Sequence, residues 1–91
     1  MYSDSYSEDI TKKLAKLKKR DAQHYENVRK KMDWILTNQW HRYKDLHYSM
    51  KGIKRVHLGH FVLTFKINHV NKVISFEDYD HMIISINKYE Q

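Results

Sequence analysis

The sequence predicts an α+β domain, with an N-terminal helical hairpin packed on one face of a small twisted antiparallel β-sheet. Three observations predict it. Apolar residues recur at helical spacing up to about residue 39, and they alternate with polar ones from about residue 55 onward. There is no proline. The two glycines, Gly52 and Gly59, both lie in the second half, where the period changes. Ninety-one residues make room for a single domain, 1–91.

Tyr2 and Tyr6 share a face at strand spacing, which allows a short edge strand at most. Ser5 with Glu8 has capping-box spacing, and Ser7 is a second N-cap candidate. Ile10, Leu14 and Leu17 then form one narrow stripe, predicting a first helix over about 7–20. Asp21 can cap a second helix over about 22–39, whose stripe is Tyr25, Val28, Met32, Ile35 and Leu36. With almost nothing between them, the two helices should fold back as an antiparallel hairpin. Trp34 and Trp40 lie off or beyond the stripe and are expected to pad the hairpin against the sheet.

Lys51-Gly52 reads as a turn. Around Arg55-Val56-His57-Leu58, Val56 and Leu58 should face inward. After Gly59-His60, the residues Phe61, Leu63, Phe65 and Ile67 alternate with Val62, Thr64 and Lys66, a strand of period two. Asn68 to Asn71 makes a turn, and Val73 to Tyr79 a third strand. Short loops between consecutive strands imply a meander. The tail from Asp80 to Gln91 fits a strand or a short helix equally. Inward strand residues should pack on Leu14, Leu17, Val28 and Ile35. The opposite sheet face, carrying Arg55, His57 and Lys66, is expected to be solvated and basic.

Composition narrows the function classes. The chain is 41% hydrophobic and 13% aromatic, too rich in core-forming residues for a disordered segment. No run of about 18 apolar residues occurs, and the first residues lack the basic start and apolar stretch of a secretory signal. A cytoplasmic protein without a membrane partner is expected. The absence of cysteine removes disulfides, zinc–thiolate sites and thiol nucleophiles. Seventeen basic against eleven acidic residues give a net charge of +6, which favours an anionic partner.

Seven histidines invite a test for zinc, but none of their spacings is that of a metal site, so no metal and no cofactor are expected. Two glycines cannot build a P-loop or a dinucleotide fingerprint. The first two helices carry a run of lysines. Lys12, Lys16 and Lys19 are candidates for tracking a phosphate backbone, against the alternative of a solvated helix face. Arg55 and His57 share one strand face, and Tyr79, Asp80 and His81 end the last strand. Placed near one another, such groups suit RNA cleavage. A histidine moves protons near neutral pH, an arginine clamps the phosphate, and an aromatic ring stacks on an unpaired base. The alternative is a set of surface ion pairs.

Three stretches in order, Lys44-Asp45-Leu46, Met50 to Phe65 and Val73 to His81, resemble the RelE/ParE toxin superfamily, closest to its archaeal RelE-like branch. The N-terminal helices, with Lys12-Lys13-Leu14 and Leu17-Lys18-Lys19, fit as well. The resemblance covers about 6–81. It implies a RelE-like fold, the toxin of a type II toxin–antitoxin pair, and a ribosome-dependent, metal-independent mRNA endonuclease. It also implies a cognate antitoxin, the ribosome with its mRNA, and operator DNA reached through the antitoxin, as partners. The site it implies comprises Arg55, His57, Tyr79 and His81, with Lys51, Lys54 and His60 beside them for RNA. Val62 stands where many members carry arginine, and a tyrosine returns only at Tyr89. The alternative is a non-catalytic homologue that inhibits gyrase or acts only through its antitoxin.

Overall fold

The computed structural model describes residues 2–39 and 53–81. The elements are β1 (Ser3–Tyr6), α1 (Glu8–Arg20), α2 (Ala22–Trp34) with a π-helical extension at Ile35–Gln39, β2 (Ile53–Leu58), β3 (Phe61–Asn68) and β4 (Val73–His81). Trp40, Lys51, the 44–46 stretch, the Lys51-Gly52 turn and the tail from 82 onward lie outside the described residues.

Ser7 starts α1. Its Oγ accepts the Ile10 N–H at 3.1 Å, the bond a helix N-cap exists to make. Asp21 does the same for α2, accepting the His24 N–H at 3.1 Å. The caps therefore sit at Ser7 and Asp21, while Ser5 belongs to β1. α1 presents Ile10, Leu14 and Leu17, and α2 with its extension presents Val28, Met32, Ile35 and Leu36. These pack on Val56, Leu63, Phe65, Ile74, Phe76 and Tyr79 of the sheet. Helices on one side of a sheet thus enclose one core, as an amphipathic hairpin requires.

The sheet has four strands in the order β1-β4-β3-β2. β2, β3 and β4 form the expected antiparallel meander. β1 differs. It pairs parallel to β4, Ser3 with Val73 through Tyr6 with Phe76, so the sheet is mixed. The chain leaves β1 through the helices and reaches β4 only after β2 and β3, and such a crossover aligns the two strands.

Two expectations about packing are corrected. Trp34 is 40% exposed and lies under the Lys31 ammonium at 4.4 Å from its ring centroid, on the outside of the hairpin. It stands two residues past Met32, roughly 200° around the helix from the buried stripe. The sheet face opposite the helices is not simply solvated and basic either. Register puts Ile53, Val62 and Thr64 on that face, and all three are buried. β3 is an inner strand, buried on both sides over Val62-Leu63-Thr64-Phe65, as a strand covered on both faces is.

Candidate functional site

A β-bulge decides which chemistry-bearing residues share a face. Phe65 pairs with Phe76 but Thr64 pairs with Asp78, so Glu77 is an extra residue in β4. Unbroken alternation from the inward-facing Phe76 would put Tyr79 and His81 on the outer face, with Arg55 and His57. The extra residue reverses this. Tyr79 pairs with Leu63, and His81 with Phe61, on the helix-facing side. On the outer side, Arg55 lines up with Thr64 and Asp78, and His57 with Val62 and Asp80.

Ser7 holds this bulge in place. Its N–H donates to the Phe76 carbonyl at 3.0 Å, and its Oγ donates to the Glu77 carbonyl. Immediately past the bulge, the Lys13 ammonium reaches Asp78 at 2.6 Å and Asp80 at 2.5 Å. Burial pulls that ammonium down. The hydrogen bonds and attraction of Asp78 and Asp80 outweigh it, and its pKa lies above the ordinary lysine value.

The end of the sheet where β2 turns into β3 gathers four histidines: His24, His57, His60 and His81. The His60 and His81 rings stack at 6.2 Å, 15° from parallel. Phe61 meets His81 edge-on at 5.6 Å and stacks on Tyr79 at 5.2 Å. The Tyr79 hydroxyl bonds His24 Nε2 at 2.5 Å, and the edge of Phe61 closes on His24 at 5.0 Å. An aromatic chain therefore runs from α2 through β4 and β3 to the exposed turn. Tyr79 is only 6% exposed, and burial pushes its phenol up to about 12. Its ring is occupied inside the protein, so it is no open platform for a base; it fixes Phe61, which in turn touches His81.

The remaining predicted residues fall as follows. Arg55 is half-buried in the middle of β2, and His57 is exposed near its end. Lys54 is half-buried on the same strand, facing the Phe65 side. His60 is exposed in the turn. Lys12, Lys16 and Lys19 are exposed along α1, roughly 200° from its buried stripe, so they look away from the sheet. Lys12 lies 3.7 Å from Glu8. The structure thus brings His57, His60 and His81 to one end of the sheet and leaves the α1 lysines on another surface.

Sequence reasoning passed over His24, Lys13 and Asp78. The signal for His24 was present, since it stands three residues after the Asp21 cap beside the Tyr25 stripe. Lys13 flanks Leu14, and Asp78 was hidden by the bulge. Among the described residues, no three His, Asp or Glu come together to hold a metal ion, and no helix is long and apolar enough to cross a membrane.

Solved structures share this arrangement of helix pair and sheet. The toxin–antitoxin complex RelBE2 of Mycobacterium tuberculosis matches at a TM-score of 0.74 and 18% identity, over 88% of this chain and 96% of that one. The isolated Escherichia coli RelE toxin matches at 0.73 and 16% identity, over 97% and 96%. No family model matches the chain. The fold is therefore that of the small RelE-like α+β toxins. A Methanocaldococcus jannaschii protein named toxin RelE4 is 39% identical over 82 residues, spanning 89% of this chain and 86% of its own length. The chain belongs to the RelE toxin family.

Proposed function

We propose that this chain is the toxin of a type II toxin–antitoxin pair and that it cuts mRNA on the ribosome without a metal ion. It acts in the cytoplasm and is held inactive by a cognate antitoxin, through which it reaches operator DNA. The 39% identity to toxin RelE4 carries the reading. The imidazoles gathered at one end of the sheet supply groups suited to the chemistry.

In this reaction a base takes the proton of the ribose 2′-hydroxyl, the 2′-oxygen attacks the phosphorus, and the 5′-oxygen leaves with a proton. Imidazoles perform both transfers near neutral pH. His57 and His81 are assigned to them. Arg55, on the same strand as His57, stabilises the charge that grows on the phosphate oxygens. His60, Lys51 and Lys54 are assigned to RNA binding, and Lys12, Lys16 and Lys19 to more distant phosphates. Tyr79 is a positioning residue, acting on His81 through Phe61.

The test is induced expression with mapping of cuts in ribosome-bound message. The wild type should arrest growth and cut, and His57→Ala and Arg55→Ala should relieve both. If both variants stay fully toxic, the assignment is wrong. One observation favours a second reading. Val62 is 1% exposed on the outer face, where many RelE-like members carry arginine, and a homologue without cleavage would tolerate that. Gyrase supercoiling by the purified protein, inhibited or not, separates the two.

A further inference from the structure

A second binding feature lies beside the histidines. An open cleft of about 620 Å³ runs between the first three turns of α2 and the end of β2, an edge strand of the sheet. Gln23, Asn27 and Lys31 line it from the helix, and His57 and Gly59 from the strand and turn. Asp21 is at its rim, with its carboxylate engaged by the His24 N–H.

Its chemistry is that of two amides between a lysine and a histidine. Gln23 and Asn27 are four residues apart and so share a helix face. Gln23 Nε2 donates to Asn27 Oδ1 at 3.2 Å. That bond uses one end of each amide and leaves the Gln23 carbonyl, an acceptor, and the Asn27 amino group, a donor, on the same helix face. Every nucleobase presents a neighbouring donor and acceptor on its pairing edge, and the edge is exposed only when the base is unpaired. Lys31, whose ammonium lies over the Trp34 ring almost one turn further along the helix, and His57 line the cleft on its two sides.

We propose that this cleft holds an unpaired nucleotide of a single RNA strand, next to the phosphate handled by His57. The inference rests on the RNA-directed reading above and adds a base-holding site on the helix side of the sheet edge, apart from the outer face. Base contacts of this kind separate single strands from duplexes, whereas the α1 lysines attract both.

The probe is a short fluorescent RNA, 2′-O-methylated throughout so that it cannot be cut, titrated with the full chain as a single strand and as a duplex. The wild type should bind the single strand more tightly. Gln23→Ala with Asn27→Ala should weaken single-strand binding about tenfold, the loss of two hydrogen bonds, and leave duplex binding unchanged. Lys31→Ala should weaken single-strand binding and flatten its salt dependence. Thermal melting confirms that each variant folds. Equal affinity for single strand and duplex, or unaltered single-strand binding by the double variant, overturns the proposal. Cleavage of ordinary message is scored separately. Binding with these properties but without cleavage refutes the endonuclease and keeps the cleft.

Discussion

The Lys13 ammonium lies 2.6 Å from Asp78 Oδ1 and bridges α1 to the strand immediately beyond its bulge. Asp80 shares the same ammonium. The two carboxylates are 4% and 10% exposed, while Lys13 keeps 37% of its surface in water. Replacing Lys13 with alanine removes its ammonium from two neighbouring, largely buried carboxylates. A fully buried pair broken in this way costs about 3–5 kcal/mol. Solvent at Lys13 reduces that, so a loss of about 2 kcal/mol is expected from urea unfolding. Adding Asp78→Asn and Asp80→Asn to Lys13→Ala should recover much of it.

Alkali probes the same region from the other side of the strand. The Tyr79 phenol is pushed up to about 12 by burial, whereas an unfolded tyrosine ionises near 10. The unfolded chain thus loses this proton first, and stability falls between pH 10 and 12, by roughly 3 kcal/mol at most from this group. Lys13 acts over a similar range. Its folded value is raised, so its contribution is complete below about pH 10.4 and fades as pH climbs through the folded value. Tyr79→Phe should remove its part of the slope, lose the His24 bond at a cost of about 1 kcal/mol at neutral pH, and delete a phenolate absorbance that appears near pH 12.

Ser7 caps α1 and ties the helix start to the Glu77 carbonyl at the bulge. Ser7→Ala should cost about 1–2 kcal/mol in urea unfolding. Ser5→Ala should cost far less, because Ser5 is exposed in β1 and caps nothing. Similar losses at the two serines would show that the cap is not where the energy lies.

These residues also mark what the sequence made legible. The stripes Ile10-Leu14-Leu17 and Val28-Met32-Ile35 specify helices because a period near 3.6 has one buried face, and both pack as expected. The meander was readable from alternation and short turns. The parallel β1 was not, since four mostly exposed residues carry no pattern that fixes a neighbour. The bulge was hidden for a related reason. Val73 to His81 reads as one strand, and nothing local in Phe76-Glu77-Asp78 reveals an extra residue whose support comes from Ser7, far away in the chain. That one residue separates Tyr79 and His81 from the face of Arg55 and His57. The histidine gathering became visible only once the β2–β3 turn brought His60 beside His81 and α2 brought His24 beside Tyr79.

The division of His57 and His81 between two faces at one end of the sheet has a kinetic consequence. If one imidazole takes the 2′-hydroxyl proton and the other supplies the leaving oxygen, one must be neutral and the other protonated at the start. Cleavage on purified, programmed ribosomes should then follow a bell-shaped pH profile. His57→Ala and His81→Ala should each slow the optimum rate by about 100-fold and each remove a different limb. Phe61→Leu withdraws the ring edge that His81 meets at 5.6 Å and touches neither proton directly. It should shift the limb lost in His81→Ala and leave the limb lost in His57→Ala in place. A change confined to stability would lower the rate at every pH alike, so the altered limb distinguishes positioning from mere support. A profile that keeps both limbs in His81→Ala removes that residue from proton transfer and leaves His57 to act with a group elsewhere.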